Sequence, residues 1–507
     1  MAGKSMTANT HGLALEINMN RGQQFLALGC VVALSLPVSS ANRGSVVGDE
    51  AYSVSAAAPE GFDRTTTAEK TLALLHTYIA TNTENPPGNE LVLAQIIARE
   101  LIDLPGMDLK VLDAGEGRGN LVARLRAPNP TEAPVLVMAH MDVVGAQLDK
   151  WAMPPFEATL TDGYVYGRGV IDDKGMLAVI TTVMQELAKH RASMKRDVIL
   201  LATAGEEGGP SVGIDWVLEH HNDLIGDAEF ALNEGGRIRV RDGRIVSVNI
   251  QTSEKVPYNV VGKSVGQSGH GSVPLPNNAL ATMSRAVARI HDWKAPVLLN
   301  PTTRIYFERL ATIEPDQKMA DAMRALVAAK TPAGIEAAAA ILSMEPLHNA
   351  VLRTGLSLTL LNGGIRTNVI PSEGTATFNV RVLPGDDLMG VIDEMRRVGA
   401  EESVTWELDG ELRTDPPVSP VETALFQSMS DAALEMVPDV VVLPFMSTGA
   451  TDGAALRRVG IPTYGILPLP LEMGDELRMH GDEERAPVAS IGWATEYIYR
   501  VLAGVAL

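Results

Sequence analysis

Three short apolar runs in the first half of the sequence lead directly into acidic or histidine residues. The runs cover 135–139, 198–202 and 230–232, and the polar residues that follow them are His140, Glu206, Glu207 and Glu234. Apolar runs of this length, flanked by helical or loop sequence, are typical of buried parallel strands. Open α/β sheets place ligand sites at the carboxyl ends of such strands. We therefore expect an α/β fold with a mostly parallel sheet and a polar site at one edge.

The length of 507 residues and a change of pattern along the chain predict two domains. From about residue 254, alternating strands mix with amphipathic helices, which favours a second, α+β domain. After about residue 413 strand-helix alternation returns, so the second domain is predicted to be inserted into the first. The expected boundaries are 1–41 for a signal peptide, 42–65 for a linker, 66–253 and 413–507 for the first domain, and 254–412 for the insertion, with an extra helical segment near 295–350 that contains an Ala-rich stretch at 316–340.

The apolar stretch 25–38 has the features of an export signal. It follows Arg21 and precedes the small residues 39–41, which is the order of a signal peptide. The stretch is too short to remain as a membrane-spanning helix. We therefore expect an exported protein, periplasmic or secreted, without a stable membrane anchor. Translation from Met19 would give the signal a compact positive start.

Charge and cysteine content limit the kinds of partner and of metal ligand. The formal charge of −20 repels nucleic acid and anionic membrane surfaces. Cys30 is the only cysteine in the sequence, so a disulfide framework and a thiolate metal site are both excluded. Any metal must be held by His, Asp and Glu.

Five separated motifs supply such residues. They are His140-Met141-Asp142, the Gly-rich segment 167–175 around Asp172 and Asp173, Glu206-Glu207-Gly208-Gly209, Asn233-Glu234-Gly235-Gly236, and Met479-His480-Gly481. Each motif alone is more often a structural turn or a solvated pair. Adjacent carboxylates repel, however, unless a cation or a shared proton compensates them. Two histidines with several carboxylates form the nitrogen and oxygen ligand set that suits zinc in hydrolytic sites.

These motifs resemble, in number and order, the zinc aminoacylase and glutamate-carboxypeptidase family, which includes succinyl-diaminopimelate desuccinylase and carnosine-cleaving dipeptidases. The resemblance runs from about residue 66 to the C-terminus and includes segment 151–156. It implies two Zn²⁺ per subunit, for which Co²⁺ or Mn²⁺ could substitute. The implied roles are a bridging ligand for Asp172, ligands of one ion for His140 and Glu234, ligands of the other for Glu207 and His480, orientation of His140 for Asp142, and general base for Glu206.

The resemblance extends to the inserted domain, which it identifies as a lid or dimerisation domain. His270, in the segment 268–272, is similar to a histidine that stabilises the oxyanion and that reaches across from the other subunit in dimeric relatives. Asn368 and Arg381 correspond to residues that hold the substrate carboxylate. The loop 447–452 also resembles the family, but Ala454 stands where many relatives have arginine, which weakens any inference about specificity.

The implied function is a two-zinc hydrolase that cleaves an amide or peptide bond next to a free carboxylate, as a carboxypeptidase does. An alternative on the same site is an aminoacylase, so the substrate is a small peptide or an N-acyl amino acid, and a homodimer through the lid domain is compatible with both. A serine hydrolase using Ser268 and His270 is the first rival, but no Gly-x-Ser-x-Gly elbow surrounds either residue and the paired glutamates would be unexplained. A non-catalytic periplasmic binding protein on this scaffold is the second.

Overall fold

The computed structural model describes residues 52–208 and 211–507. The predicted signal peptide 1–41 and the linker residues before Tyr52 lie outside this part, so export stays a prediction. Within the described ranges, no helix combines the length and the apolar character needed to cross a membrane.

The described strands are β1 (Met107–Gly115), β2 (Arg118–Leu125), β3 (Val135–His140), β4 (Thr159–Thr161), β5 (Tyr164–Tyr166), β6 (Val198–Thr203), β7 (Phe230–Arg241), β8 (Arg244–Glu254), β9 (Val256–Val265), β10 (Gly269–His270), β11 (Gly355–Asn362), β12 (Val369–Ile370), β13 (Glu373–Val382), β14 (Val404–Asp409), β15 (Val441–Ser447), β16 (Thr463–Glu472) and β17 (Arg485–Pro487).

The described α-helices are α1 (Arg64–Ala80), α2 (Glu90–Leu101), α3 (Lys174–Lys189), α4 (Ile214–His221), α5 (Ala279–Asp292), α6 (Pro301–Leu310), α7 (Gln317–Ala328), α8 (Pro332–Leu342), α9 (Pro346–Leu352), α10 (Leu388–Gly399), α11 (Ala424–Met436), α12 (Gly453–Arg458), α13 (Met473–Glu476) and α14 (Val488–Ala506).

The largest sheet of the described residues has eight strands, in the order β1-β2-β6-β3-β7-β16-β8-β15. Strand β3 pairs in parallel with β6 and with β7, and β7 pairs in parallel with β16. The predicted α/β class with a mostly parallel sheet is therefore confirmed. Helix α3, which is buried along almost its whole length, connects two of these strands and packs against α1 and α14. The three helices form a layer that packs against the sheet, at whose edge the polar residues lie.

Strand β7 is longer than the apolar run that predicted it. The run ends at Leu232, but β7 continues to Arg241 and forms an antiparallel hairpin with β8. Glu234 therefore lies inside a strand rather than just beyond its end. The β7–β16 pairing shifts register near Gly465, and Gly235 adopts a positive φ of 128°, a region that glycine enters without a Cβ clash. The strand can thus bend at Glu234 and continue as a hairpin.

A second, four-stranded sheet in the order β11-β13-β9-β14 is built entirely from residues 256–409. Helices α5 and α10 cover one of its faces, and the apolar cluster between them includes Phe378 and Trp406. Helices α6 to α9 form another cluster, which packs against Phe445 of β15. The predicted Ala-rich helical stretch 316–340 is two helices, because Pro332 begins α8 and restricts the backbone of the residue before it.

The chain packs on the fold earlier than the expected start at residue 66. Tyr52 and Phe62 are 7% and 5% exposed and belong to the main apolar core. Helix α1 begins at Arg64, where the side chain of Asp63 accepts a hydrogen bond from the Thr66 backbone N–H. Residues 52–65 are therefore part of the fold rather than the end of a free linker.

Candidate functional site

Four of the five predicted metal ligands each lie within hydrogen-bonding distance of another, and the fifth, Glu234, lines the same cleft. Ligand atoms of His140, Asp172 and Glu207 all lie within 4.8 Å of one another. His140 Nε2 is hydrogen bonded to Asp172 Oδ1 at 2.8 Å, and His480 Nε2 lies 3.1 Å from Asp172 Oδ2 and 2.9 Å from Glu207 Oε1. Asp172 thus stands between two imidazoles, which is the position that a bridging carboxylate requires.

Asp142 orders the local backbone around His140 and the paired glutamates. Its fully buried carboxylate accepts hydrogen bonds from the backbone N–H groups of Glu206 and Glu207 and from Asn85 Nδ2. His140 Nδ1 contacts the Asp142 carbonyl oxygen at 2.9 Å, while the nearer carboxylate oxygen is 3.7 Å away. Asp142 therefore orients His140 mainly through its backbone, whereas its carboxylate holds the loop after β6.

The loop that carries Asp172 is fixed by a buried ion pair that the sequence interpretation missed. Arg168 Nη1 donates to Glu484 Oε2 at 2.6 Å, and both side chains are at most 2% exposed. Glu484 also accepts backbone N–H groups of Gly169, Ile171 and Asp172. Since Glu484 lies four residues after His480, this contact joins two predicted ligand segments that are about three hundred residues apart in sequence. No local motif could have indicated it.

The two other acidic residues of the site are Glu206 and Glu234. Both are harder to ionise than an ordinary glutamate, because their pKa values are raised. Burial, with Asp172 nearby, raises the pKa of Glu234 to about 8. Burial also raises the pKa of Glu206 well above its usual value, and Glu234 and Asp452 add to this effect. Carboxylates packed this closely repel one another unless a cation compensates them. Such closely packed carboxylates are typical of a site that binds a cation.

The histidines carry the complementary shift. Burial acts to lower the pKa of His140, but contacts with Asp142 and Asp172 outweigh it and raise the pKa well above the usual value. Contacts with Asp172 and Glu207 raise the pKa of His480 to about 10. Burial alone would raise the pKa of Asp172, yet the two histidines lower it. Each imidazole therefore binds a proton firmly, and its positive charge compensates the neighbouring carboxylates.

These residues fit a zinc site by donor type and by an unsatisfied atom. The donors are two imidazole nitrogens and several carboxylate oxygens, the set that catalytic zinc uses. Within the described residues, Glu207 Oε1 is buried and accepts no well-aligned hydrogen bond, although His480 Nε2 is close to it. A buried, unpaired carboxylate oxygen is costly unless a cation binds it. His140, Asp172, Glu207, Glu234 and His480 could therefore hold divalent metal.

A cleft of about 600 Å³ is lined by Asp172, Glu206, Glu207, Glu234 and His480. The same lining includes five basic residues from strands, loops and a helix, namely Arg237, Lys255, Arg381, Arg413 and Arg458. The cleft can therefore place the metal-binding residues beside a substrate carboxylate, because an arginine fork pairs well with such a group.

Arg381 and Lys255 are each held by a hydrogen bond. Arg381 Nε donates to Asn379 Oδ1 at 2.9 Å, and burial lowers the pKa of Arg381. Lys255 Nζ donates to the Arg353 carbonyl at 2.7 Å, and burial together with Arg381 lowers the pKa of Lys255 to about 8. The sequence interpretation identified Arg381 but missed Lys255, which follows directly on β8 and enters the cleft only through the fold.

His270 and Asn368 lie together but outside the cleft lining. His270 in β10 pairs with Val369 in β12, and the Gly271 N–H donates to the Asn368 carbonyl at 2.8 Å. Both side chains are exposed, and His270 Nδ1 contacts Ser272 Oγ at 2.7 Å. The described arrangement therefore brings Arg381, but neither of these two residues, to the metal ligands.

Asp452 lines the cleft and was not among the predicted site residues. Thr203 Oγ1 donates to Asp452 Oδ2 at 2.9 Å, and burial raises the pKa of Asp452 to about 7. The neighbouring Thr451 is anchored through its N–H and hydroxyl to Glu254. The resemblance of loop 447–452 was the available signal for Asp452, but it assigned no role to that residue.

Comparison with known proteins adds a family match. The model described as "Peptidase family M20/M25/M40" matches residues 136–504. Carboxypeptidase S-like 2 of Dictyostelium discoideum, described as probable, is 27% identical over 405 residues, covering 76% of this chain and 74% of that protein. The human N-fatty-acyl-amino acid synthase/hydrolase PM20D1 is 26% identical over 387 residues, covering 75% of each chain. The family match spans the predicted metal motifs.

Solved structures show the same fold at lower identity. A M20 family metallo-carboxypeptidase, Sso-CP2 from Sulfolobus solfataricus, has a TM-score of 0.63 at 17% identity and covers 85% of this chain and 98% of its own. The YXEP protein of Bacillus subtilis, described as a dinuclear metal binding peptidase from M20 family, has a TM-score of 0.54 at 15% identity, covering 86% and 96%. The arrangement of sheets and helices is therefore shared with these proteins.

Proposed function

Because the chain belongs to peptidase family M20/M25/M40, we propose that it is a two-zinc exopeptidase that hydrolyses an amide or peptide bond next to a free carboxylate. Family membership makes it a metallopeptidase or amidohydrolase. The observation that carries the finer proposal is the mixed lining of the cleft, which combines metal-binding carboxylates with the cations Arg381 and Lys255. A substrate that spans the cleft would place its carboxylate at these cations and its amide bond at the metal residues.

In this proposal His140 and Glu234 hold one ion, Glu207 and His480 hold the other, and Asp172 contributes to both. Bound zinc would polarise water and the amide carbonyl, and Co²⁺ or Mn²⁺ could supply the same chemistry. The family likeness to a structure described as dinuclear supports a pair of ions. The role of the chain is to fix the donors, which Glu484 and Asp142 do through the backbone hydrogen bonds described above.

In this proposal Glu206 moves the proton that hydrolysis requires. Its side chain lines the cleft together with Asp172 and Glu207, and its backbone is fixed by Asp142. A carboxylate in this position can accept a proton from the attacking water and return it to the departing amine. Burial raises the pKa of Glu206, so its carboxylate is a stronger base than an ordinary glutamate and can hold the proton between the two transfers.

An aminoacylase that acts on N-acyl amino acids is the second candidate function. Both reactions release an amino acid with a free carboxylate, so the same cations serve both substrates. The human relative named as an N-fatty-acyl-amino acid synthase/hydrolase supports this alternative, and the relative from Dictyostelium named as a carboxypeptidase supports the first.

The test is hydrolysis by the zinc-loaded protein of dipeptides and N-acyl amino acids, each with a free or an amidated carboxylate. We expect amidation to raise KM strongly and metal chelation to abolish turnover of every substrate. Arg381→Gln should lose the discrimination between free and amidated substrates, whereas the exposed Arg397→Gln, on the far helix α10, should keep it. Turnover that survives complete metal removal would refute the metal proposal, and indifference to amidation would refute the role of Arg381.

We also propose that the protein forms a homodimer through the small sheet. Strand β11 is an edge strand, and Leu360, Leu361 and Ile365 on or beside it are 56%, 51% and 92% exposed. Unpaired edges with exposed apolar side chains tend to pair with another chain. His270 is exposed, and the histidine that it resembles reaches the other subunit in dimeric relatives. Its exposure is therefore compatible with a dimer.

A further inference from the structure

A second cavity, of about 260 Å³, lies between the β7–β8 hairpin and the helices of segment 301–352. We call it the side cavity. Its apolar walls are formed by Tyr306, Leu310, Ile313, Leu347, Phe445 and Met473. Cavities with mostly aliphatic and aromatic walls suit apolar ligand groups. Neither the metal site nor the cations of the catalytic cleft account for it.

The side cavity is adjacent to the catalytic cleft along strand β7. Arg237 lines the cleft, whereas Arg239, two residues further along the strand, lines the side cavity. Alternate residues of a strand lie on one face about 7 Å apart. The two spaces therefore lie next to each other on the same face of the hairpin.

Side chains separate the two spaces. Glu476 pairs with Arg237 Nε at 3.2 Å and also with Arg239. Met479, which lines the cleft, contacts Arg237 Nη2 at 3.7 Å, and Met473, which lines the side cavity, contacts Arg239 Nη1 at 3.6 Å. Methionine side chains are unbranched and adapt readily to a changed neighbour. The boundary between cleft and cavity thus consists of an ion-paired cluster and two methionine side chains that can adapt.

Two buried polar residues also line the side cavity. Asn249 and His348 line it and are 5% and 8% exposed. Among the described residues, Asn249 Oδ1 and His348 Nδ1 have no hydrogen-bond partner. Buried polar atoms of this kind are usually satisfied by water. An apolar group that displaces poorly ordered water from apolar walls gains affinity.

We propose that the side cavity receives the aliphatic chain of an N-acyl amino acid whose amide carbonyl lies at the metal residues. The proposal rests on the aminoacylase alternative of the proposed function and names its substrate class as amino acids acylated with chains longer than acetyl. The amino acid carboxylate would point to Arg381 and the chain would pass Glu476 toward Leu310. The relative named for N-fatty-acyl-amino acids is consistent with this class.

The test is the dependence of kcat/KM on chain length for N-acyl derivatives of one amino acid, from acetyl to dodecanoyl. If the chain is buried, kcat/KM should rise by up to about fourfold per methylene and level off once the cavity is full. Leu310→Trp and, on the next turn of chain, Ile313→Trp should flatten this rise and leave N-acetyl hydrolysis unchanged. Thermal melting checks that each variant is folded.

The matched control is Leu72→Trp, which fills an apolar groove between α1 and the β4–β5 hairpin. It should leave the chain-length dependence as in the wild type. A wild-type protein that hydrolyses all chain lengths equally, or folded Trp variants that keep the full rise, would overturn the side-cavity assignment alone. Failure to hydrolyse any peptide or N-acyl amino acid would instead overturn the proposed function, and this proposal with it.

Discussion

Glu206 differs from the other carboxylates of the cleft because its proposed role is proton transfer rather than metal binding. The change Glu206→Gln removes the transferable proton but keeps size and hydrogen-bonding capacity. We expect kcat to fall by roughly 10²- to 10⁴-fold, the range that a general acid–base residue contributes, while metal content stays at the wild-type level. Steady-state kinetics and elemental analysis of the purified protein measure the two quantities.

The matched control is Glu60→Gln, which makes the same chemical change at an exposed position and should alter neither quantity. A Glu206→Gln protein with near-normal turnover would show that another group moves the proton. Loss of bound metal in the same variant would instead assign Glu206 to the ligands.

Residues that act through local motifs could be predicted from the sequence, and residues that act through distant contacts could not. His140 and Asp172 lie in short motifs at predicted strand ends and loops, and the structure brings them into contact. Glu484 and Lys255 carry no comparable signal. Their importance depends on partners far along the chain, Arg168 for Glu484 and Arg353 for Lys255.

At the scale of elements, hydrophobic pattern predicted strands well where both faces are buried. Strands β3 and β6 are buried along their whole length and match the apolar runs closely. The second half of β7 alternates buried and partly exposed residues and includes three arginines. That half is stabilised by hairpin pairing with β8, so its extent depends on a partner strand that the apolar run does not reveal.

Helix α9 carries a histidine whose burial makes stability depend on pH. His348 packs edge-on against Phe307, and burial lowers the pKa of His348. The unfolded chain therefore takes up a proton at a higher pH than the folded protein does. Stability conferred by the neutral imidazole is present above the ordinary histidine pKa and decreases as pH falls through that value toward the lowered one.

We expect His348→Leu to lose part of the acid sensitivity of the wild-type protein. The measurement is the urea midpoint at pH 5 and at pH 7.5, and the variant should show a smaller difference between the two. His291→Leu, on the exposed side of α5, is the control and should keep the wild-type difference. An equal difference in all three proteins would mean that His348 is protonated without cost.

At the scale of the whole molecule, the arrangement of the two sheets decides which predicted site residues meet. Arg381 of β13 reaches the cleft, while His270 and Asn368 are exposed on a two-stranded pairing elsewhere in the same segment. Motif resemblance assigned all three residues to one reaction. It could not indicate their separation, because the positions of these residues depend on the segments near Glu254 and Arg413 that connect the two sheets. In the proposed dimer they also depend on a second chain.

The proposed dimer leads to a prediction about the edge strand β11. Leu360→Lys would place a charge in the proposed interface, and burying an unpaired charge is costly. We expect this variant to sediment as a monomer where the wild type sediments as a dimer. Leu477→Lys makes the same change at a side chain that is 75% exposed near the metal loop and should leave the dimer intact.

If His270 serves the partner's site, the Leu360→Lys monomer should also lose turnover. A His270→Ala dimer should then regain part of its activity when mixed with an Arg381→Gln dimer, because exchange of subunits creates one site with both residues intact. Unchanged activity in a monomeric Leu360→Lys protein would show that each chain is catalytically complete and that His270 reaches its own cleft. A wild type that sediments as a monomer would contradict the dimer itself.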